Sequence, residues 1–582
     1  MTNIVSHSQR FINNPATVTI EALLGIVAAN INVNLMDFGK VVVRRDYNEM
    51  QEVKIISGGS SGHEPAFAGF VGKGMLTAAV QGDIFTCAPA SEILRTIREL
   101  TNEQSLGILI IIPNNSSDRL NFGLAVERAI NEGISVKMIV VSDDCVNFKP
   151  KEGRGLCGAF LLQKIAGAMS EQNVSLQDIY NECNKLKDDI FSVLLSVKPC
   201  SSTEKGVCES CKTIFAKTEM EIGSGLHGER GPMKMSMAAV EHISKMIFEQ
   251  MTNENIEHRL ELEPNVPIVL LINNLGGTSK MEEYIVIKEL LKYLKRIHIN
   301  VIRMFCDRFL TSLDMYGFTV TIMKIRKPEV LEWLDRPCET LSWPSPWVNC
   351  TSKEDSSFIL KSRHQDVEAI EMRGPRLNKR QVNTLLLVTQ FACDALISCE
   401  KQLNIMDGET GDGDTGSRLR RGMETLNVEL ARHNVNLAYP FVFLLSLSRI
   451  IEKSMGGTLG CIYSIMLEAA ASEFLVFPES QIVTAWLWLY ALKKAIYAMA
   501  TYAESKEGEN TMFDPLCTCA AVMEESLTND IRDVEAFGNG VFAAEETAQK
   551  TKQSPRKYPD PGAHAVGIWL RALYEGVKLR CE

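Results

Sequence analysis

The sequence predicts a multidomain protein with an α/β N-terminal region and an all-α C-terminal region. In the first two-thirds of its 582 residues, short β-branched runs alternate with helical patterns. A segment rich in proline, serine and charge follows at about residue 340. From residue 379 onward, long amphipathic patterns continue with almost no strand signal. Strands that alternate with helices form a sheet covered by helices, whereas helices alone bury their apolar stripes against one another.

Five apolar runs in the N-terminal region are predicted to be buried strands, and most of them end in Gly, Asn or Asp. They read "EVKIISGG", "LGILIIIP", "VKMIVVSDD", "VPIVLLINNLGG" and "HINVIRMFC". Helical patterns at 122–132 and 281–296 lie between them. Ligands of α/β sheets bind outside the carboxyl ends of the strands, so we expect a site at these polar ends.

The connector predicts the domain boundaries. "LSWPSPWVNCTSKEDSSF" and "MRGPRLNKR" indicate a linker over 339–378, between a domain at 1–338 and a domain at 379–582. In the second domain, "QVNTLLLVTQFACDALISCEKQL" repeats apolar residues along one helical face.

Charge and targeting signals exclude several classes of function. The formal charge of −11 argues against nucleic acid, whose phosphates require a basic face. The N-terminus has no basic stretch followed by a long apolar run, so no signal peptide is predicted. The most apolar stretch, 482–500, contains Lys493 and Lys494, which favours a buried bundle helix over a membrane span. Sixteen cysteines without a secretion signal indicate free thiols, and the expected location is cytoplasmic.

One cysteine-rich segment, "CSSTEKGVCESCKT", contains Cys200, Cys208 and Cys211. A single Cys-x-x-Cys without a matching pair is a weak signal for zinc. Surface thiols are therefore favoured over the alternative of a metal site.

Three aspartates, Asp407, Asp412 and Asp414, lie within eight positions in "MDGETGDGDTGSR". Carboxylates this close repel one another unless a positive group lies among them. Hard divalent cations prefer such oxygen ligands, and Mg²⁺ also binds substrate phosphates. The interspersed glycines let the backbone turn tightly enough for the side chains to converge. A metal site is favoured over a solvated turn between two helices, and the spacing does not fit an EF-hand.

A second glycine cluster, "SMGGTLGCIY", lies between two helical segments. Its backbone N–H groups and the Thr458 hydroxyl suit a phosphate at a helix N-terminus. Close packing of helices through Gly456, Gly457 and Gly460 is the alternative. A Pro-Gly turn in "PDPGAHAVGIW" is predicted to open the last helix.

Two of the nine histidines lie in glycine-rich loops of the N-terminal region. His63 belongs to "SGGSSGHEPAFAGFVGKGML", which follows a predicted strand and suits a loop that wraps a small ligand. His227 belongs to "GSGLHGERG". Satisfied structural histidines are the alternative, but the glycine-rich surroundings favour function.

Asp118 follows a predicted strand in "NNSSDRLNFG", where a general base is well placed. The alternative is that Ser116, Ser117 or Asp118 caps the next helix.

Together these motifs resemble dihydroxyacetone kinases. "GGSSGHEPAFAGFVGKGML", "DRLNFGLA", "GRGLCGAFLLQKIAGA", "GLHGERG" and "NNLGG" look like the family's substrate-binding domain. "DGETGDGDTG", "MGGTLG", "TMFD" and "DPGA" look like its nucleotide-binding domain. The resemblance runs nearly end to end in the single-chain, ATP-dependent order and is closest to the animal triokinase/FMN cyclase type. It implies two α/β subdomains before the linker and a helical barrel after it.

For the N-terminal domain, the resemblance implies that His227 adds to the ketone carbon of dihydroxyacetone to form a hemiaminal. An alcohol such as glycerol cannot form this bond. His63 and Asp118 then orient or deprotonate the attacking hydroxyl. The implied substrate-binding loop contains Gly59, Ser60, Ser61, Gly62 and His63, together with Asp118.

For the C-terminal domain, the resemblance implies that Asp407, Asp412 and Asp414 hold two Mg²⁺ ions that bridge the ATP phosphates. The implied nucleotide-binding residues are Gly457, Thr458, Leu459, Asp560 and Gly562. It also implies D-glyceraldehyde as a substrate, a homodimer, and a Mn²⁺-dependent lyase reaction on FAD that gives cyclic FMN. No nucleic acid or membrane partner is expected.

The chain departs from the family pattern at several positions. Ser60 replaces a glycine, and 113–117 lacks the usual lysine and tyrosine. Leu459 replaces a serine, Asn510 a basic residue, and 551–560 is shorter and lacks a Gly-Arg-Ala-Ser motif. Arg556 and Lys557 are candidates to supply the missing charge. A kinase is the leading hypothesis, followed by a catalytically weakened paralogue that binds ketone or nucleotide as a regulatory protein, and then by a lyase alone.

Overall fold

The chain folds into two units, Met1–Lys361 and Ser362–Glu582. The computed structural model describes 11–102, 106–146, 153–200, 219–263, 265–351, 371–409, 411–503, 506–552 and 557–581. The division lies inside the predicted linker, of which 352–370 is outside the described residues.

Six strands of the first unit form one mixed sheet. They are β1 (Val33–Leu35), β2 (Val41–Arg44), β3 (Lys54–Ser61), β4 (Ala78–Ile84), β5 (Ile108–Pro113) and β6 (Val136–Val141). Their order is β1-β2-β4-β3-β5-β6, and the four strands β4, β3, β5 and β6 run parallel. Every residue of β3 and β5 is buried, as expected for strands covered on both faces. The carboxyl ends of these parallel strands share one edge of the sheet.

Seven strands form a second sheet in the same unit. They are β7 (Ile190–Lys198), β8 (Glu219–Ile222), β9 (Met233–Ser236), β10 (Ile268–Asn274), β11 (Val301–Asp307), β12 (Tyr316–Lys324) and β13 (Trp347–Val348). Their order is β13-β11-β10-β12-β7-β8-β9, and only β10 and β11 are parallel. The five predicted runs are strands, but β7 and β12 were not among them. Both are interrupted by polar residues, and one pair of these is hydrogen-bonded in the core: Ser192 Oγ lies 2.6 Å from Thr321 Oγ1.

Helices cover both sheets of the first unit. They are α1 (Val18–Ala29), α2 (Ala90–Leu100), α3 (Ser116–Asn131), α4 (Gly158–Ser170), α5 (Leu176–Leu186), α6 (Val240–Met251), α7 (Lys280–Arg296) and α8 (Pro328–Asp335). α3 and α7 confirm the helices predicted at 122–132 and 281–296. α4 is buried along its whole length and contacts β3, β5 and β7, so it joins the two sheets. The ammonium of its buried Lys164 is hydrogen-bonded, because Nζ donates to the Trp333 carbonyl at 2.9 Å.

The described part of the second unit is helical, which confirms the all-α prediction. Its helices are α9 (Lys379–Ser398), α10 (Glu400–Asp407), α11 (Thr415–Ala431), α12 (Pro440–Met455), α13 (Gly457–Phe474), α14 (Ala485–Tyr502), α15 (Phe513–Thr528), α16 (Asp533–Lys550) and α17 (Pro561–Cys581). Each helix from α11 to α17 contacts the next, and α9 contacts both α11 and α17. Eight helices therefore close into a ring, and the short α10 packs on α11. α9 begins at a capping box formed by Asn378 and Gln381.

The ring encloses an apolar cavity of about 590 Å³. Residues that line it include Leu396, Met423, Leu447, Met466, Trp488 and Leu570. The apolar faces of the amphipathic helices line this cavity.

The apolar stretch at 482–500 belongs to α14, a member of this ring. Its two lysines reach neighbouring helices, with Lys493 Nζ 2.8 Å from Glu524 and Lys494 Nζ 3.4 Å from Glu473. Among the described residues, no single helix has the length and apolar character to span a membrane. The pair α9 and α10 meets both criteria together but is bent by 56°.

Candidate functional site

The glycine-rich end of β3 forms one wall of the candidate site in the first unit. This segment contains Gly59, Ser60, Ser61 and Gly62. A Cβ on Gly59 would lie 3.1 Å from Asp118 Oδ2, so a side chain at this position would displace the carboxylate. Gly62 has a φ of +94°, and a Cβ there would lie 2.9 Å from the Phe85 ring. Glycine at these two positions therefore lets the Asp118 carboxylate and the Phe85 ring approach the backbone closely.

His63 is buried directly after this segment. Its Nδ1 lies 2.7 Å from the Thr311 carbonyl oxygen, and its Nε2 lies 3.0 Å from His227 Nε2. Burial, together with the neighbouring His227, lowers the pKa of His63 to about 3. His63 is therefore neutral at physiological pH.

His227 stacks on His63 from the loop between β8 and β9. The two ring centroids are 5.1 Å apart, and the Phe85 centroid lies 4.9 Å from that of His227. Ser60 Oγ lies 3.4 Å from His227 Nε2. Glu229 accepts the backbone N–H of His227 at 3.0 Å, and its carboxylate lies 3.8 Å from Nδ1. Burial lowers the pKa of His227 while the Glu229 carboxylate opposes this shift.

The two imidazoles form a directed hydrogen bond. The Thr311 carbonyl can only accept, so Nδ1 of His63 carries the proton. Because His63 is neutral, its Nε2 is an acceptor, and His227 Nε2–H donates to it. In this pair His227 Nε2 is therefore the donor and His63 Nε2 the acceptor.

Asp118 lies in the first turn of α3 and is 7% exposed. Burial raises the pKa of its carboxyl to about 6. The alternative, in which Ser116, Ser117 or Asp118 caps this helix, is wrong. The cap is Asn115, whose side chain accepts the Ser117 N–H at 3.0 Å, because Asn115 is the residue with extended backbone before the first turn. Asp118 therefore keeps its carboxylate beside Gly59.

The three aspartates of the second unit converge as predicted. One carboxylate oxygen of each of Asp407, Asp412 and Asp414 lies within 4.8 Å of the others, the one such group of metal-ligating side chains among the described residues. Asp407 is buried, and its Oδ2 accepts the N–H groups of Asp414 at 2.9 Å and Thr415 at 3.1 Å. Three hard oxygen donors this close fit a divalent cation such as Mg²⁺.

Glycines shape this loop as the sequence suggests. A Cβ on Gly411 would lie 2.5 Å from Asp407 Oδ1, and Gly413 has a φ of +75°. Arg418, on the first turn of α11, donates from Nε to Asp414 Oδ1 at 2.6 Å. This guanidinium lowers the pKa of Asp414.

The glycine turn between α12 and α13 faces the same arginine. Gly456 and Gly457 have φ values of +63° and +62°, and α13 begins at Gly457. A Cβ on Gly457 would lie 1.8 Å from Arg418 Nη1. Thr458 is exposed on the first turn, where backbone N–H groups of a helix suit a phosphate.

Two family profiles match the chain: the Dak1 domain over residues 24–342 and the DAK2 domain over residues 409–575. Triokinase/FMN cyclase of Homo sapiens is 31% identical over 586 residues, with 98% of this chain and 99% of the human protein covered. This chain belongs to the dihydroxyacetone kinase family.

Two solved structures extend this relationship. The dihydroxyacetone kinase from C. freundii in complex with AMP-PNP and Mg²⁺ is 28% identical with a TM-score of 0.71, and 98% of this chain and 99% of that one are covered. A dihydroxyacetone kinase operon co-activator is 31% identical with a TM-score of 0.51 and corresponds to 56% of this chain and 98% of its own.

Several residues that the sequence analysis gave as departures from the family pattern have local structural roles. In the 113–117 segment, Asn114 Nδ2 donates to Ser142 Oγ at 2.9 Å, and its Oδ1 accepts from Arg119 at 2.6 Å. Leu459 is half-buried and packs on the core of the ring. Asn510 has a φ of +60°, in a turn held by Asp514.

The short loop before α17 is anchored to the aspartate loop. Glu409 accepts the N–H groups of Lys557 at 3.0 Å and Tyr558 at 3.1 Å. Asp560 Oδ1 accepts the Ala563 N–H at 2.8 Å, and a Cβ on Gly562 would lie 3.2 Å from the same oxygen. Asp560 therefore has a demonstrated role as a helix-capping side chain. Residues 553–556 lie outside the described residues.

Sequence reasoning missed four groups that shape these sites: Phe85, the Thr311 carbonyl, Glu229 and Arg418. Glu229 could have been identified from the sequence, because it lies in the quoted "GLHGERG" motif. Phe85 and Thr311 are distant in sequence from the histidines that they contact and carry no local signal. Of the cysteines weighed as a metal site, Cys200 is buried, while Cys208 and Cys211 lie outside the described residues.

Proposed function

We propose that this protein phosphorylates dihydroxyacetone with ATP and holds the ketone covalently on His227. The observation that carries the proposal is the contact of 3.0 Å between the Nε2 atoms of His227 and the neutral, buried His63. Family membership and the aspartate cluster of the second unit support the same conclusion.

The histidine pair supplies the chemistry for the ketone. The Nε2–H proton of His227 passes to His63 Nε2, and the lone pair that this frees on His227 Nε2 bonds to the carbonyl carbon. The carbonyl π pair moves to the oxygen, which then takes the proton from His63. The product is a neutral hemiaminal, so no charge is left in a desolvated site. An alcohol has no carbonyl carbon to accept the bond, which excludes glycerol. Glu229 positions His227 through its backbone N–H.

Asp118 is the proposed general base for the hydroxyl that attacks the phosphate. Its pKa of about 6 leaves the carboxylate ionised at pH 7 but makes it more basic than an ordinary aspartate. Gly59, Ser60, Ser61 and Gly62 form the proposed substrate-binding loop around these groups.

In the second unit, Asp407, Asp412 and Asp414 are the proposed ligands of Mg²⁺. When bound, Mg²⁺ neutralises phosphate charge and polarises the transferred phosphoryl group. The chain itself holds the three carboxylates together through the Gly411 and Gly413 turns. The proposed nucleotide-binding residues are Gly457, Thr458, Leu459, Asp560 and Gly562.

Finer parts of the proposal follow the family names. They are phosphorylation of D-glyceraldehyde, a Mn²⁺-dependent lyase reaction on FAD, assembly as a homodimer and a cytoplasmic location. The domain boundaries at 338 and 379 belong to the same proposal.

A non-catalytic binding or regulatory role is the second candidate. The altered segments 113–117 and 551–560 favour it, and so does the likeness of one solved co-activator to 56% of this chain. In this alternative the ketone binds to His227 without phosphoryl transfer.

The test is ADP release by the purified protein with Mg·ATP and dihydroxyacetone, with glycerol as the negative substrate. We expect turnover with the ketone alone, and His227→Ala should lower it by roughly 100-fold or more, because the substrate is no longer positioned. His242→Ala is the matched control, since His242 is an exposed histidine of the same unit. Ketone binding by calorimetry without ADP release would support the binding protein instead.

A further inference from the structure

Arg418 lies between the aspartate cluster and the glycine turn before α13. Its Nε donates to Asp414 Oδ1 at 2.6 Å, and its Nη2 lies 3.6 Å from Asp412 Oδ2. On the other side, a Cβ on Gly457 would lie only 1.8 Å from Nη1. One side chain therefore spans the proposed metal ligands and the proposed phosphate loop.

The charge balance of this guanidinium depends on the aspartates beside it. α11 begins at Thr415 and α13 at Gly457, and helix N-termini carry partial positive charge. A cation beside both helix ends is unfavourable unless negative groups neutralise it. Asp412 and Asp414 neutralise it in the structure, but their side chains are 71% and 40% exposed. Exposed ion pairs contribute little to folding stability, so stability alone does not explain the arrangement.

The neighbouring arginines have other partners. Arg421 donates to the Met455 carbonyl at 2.6 Å and so caps the end of α12. Arg420 pairs with Glu400 at 2.8 Å and Glu424 at 2.7 Å. Arg421 also lies beside the glycine turn, but of these three guanidiniums only Arg418 is paired with aspartates of the cluster.

We propose that Arg418 is a phosphate-contacting residue of the nucleotide site. It pairs with Asp412 and Asp414 in the structure and donates to the phosphates of a bound nucleotide, for which the planar fork of arginine is well suited. A divalent cation on the aspartates competes with the guanidinium for their charge, which favours its transfer to the phosphates. This inference rests on the proposed function, because it requires that the second unit binds a nucleotide.

The experiment measures binding of Mg·AMP-PNP by calorimetry to the full chain and to three variants. Arg418→Ala should weaken binding roughly 10- to 100-fold, as expected for loss of a hydrogen bond to a charged group. Arg418→Lys should fall between this variant and the wild type, because lysine keeps the charge but loses the fork. Arg420→Ala changes an arginine two residues further along the same helix, and this variant should bind Mg·AMP-PNP as tightly as the wild type does. Equal thermal melting of the variants checks that they are folded.

Binding of Mn²⁺ without nucleotide separates the phosphate contact from the metal ligands. Arg418→Ala should bind Mn²⁺ at least as tightly as the wild type, since the competing guanidinium is gone. Equal AMP-PNP affinity of Arg418→Ala and Arg420→Ala would overturn the inference and leave the proposed function intact. Loss of Mn²⁺ binding in Arg418→Ala would also overturn it, because the arginine would then organise the aspartates. A wild-type chain that binds no AMP-PNP would overturn both.

Discussion

In the first unit, His63 and Asp118 are 4% and 7% exposed, whereas the side chains of Asp412 and Asp414 in the second unit are 71% and 40% exposed. The buried groups have strongly shifted pKa values, and burial is the largest cause of both shifts. The exposed groups instead form ion pairs with Arg418. The comparison separates two physical situations: burial shifts the pKa values of the groups in the first unit, whereas the groups in the second unit stay in solvent and are balanced by a cation.

The largest expected loss of activity comes from substitution of Asp407, which is buried while Asp412 and Asp414 are more exposed. Asp407→Asn keeps an oxygen for the N–H groups of Asp414 and Thr415 but removes a negative ligand. We expect kcat to fall roughly 100- to 1,000-fold, as for loss of one electrostatic contact to a transition state. Steady-state ADP release measures the change, and calorimetry with dihydroxyacetone should find unaltered ketone binding. Asp530→Asn, an exposed change in the same unit, is the control. Weakened ketone binding in Asp407→Asn would contradict the proposal that the ketone binds in the first unit independently of Asp407.

An intermediate effect is expected from acid. A general base acts in its ionised form, and burial raises the pKa of Asp118 to about 6, so the carboxylate takes up a proton as pH falls through 6. The value of kcat/KM should therefore halve near pH 6 and fall about tenfold for each further pH unit. Asp118→Asn should retain a low rate without this acid limb. A wild-type profile that stays flat down to pH 5 would show that Asp118 is not the base.

The smallest effect should come from ionic strength. Raising the salt concentration screens exposed charges, whereas buried groups are screened much less. Affinity for Mg·AMP-PNP should therefore fall several-fold between low salt and physiological salt, while ketone affinity stays constant. Titrations of both ligands at matched salt concentrations provide the measurement. Equal salt dependence of the two affinities would contradict the comparison.

The aspartate cluster was predictable from sequence because its residues are close together in the chain. Eight positions of the chain contain Asp407, Asp412 and Asp414, and the glycines between them predict a tight loop. The pairing of His63 with His227 was not visible in the residues themselves, because a loop from each sheet supplies one member. Only the family resemblance placed them together.

The limits of sequence reasoning in the fold have the same origin. β7 and β12 carry serine and threonine that pair with one another inside the core, so neither strand has a continuous apolar run. The helix cap at Asn115 was missed because three neighbouring residues are equally good caps by type. Backbone conformation decided among them, and that depends on where β5 ends.

Gly576 of α17 packs directly on α9, where a Cβ would lie 2.8 Å from Val388 Cγ1. This junction joins segments from opposite ends of the second unit, so the chain between them loses much freedom before the contact forms. Removing α9 or α17 would open the ring and expose its apolar interior to water. Folding of the ring should accordingly be cooperative, with no stable intermediate that contains only some of its helices.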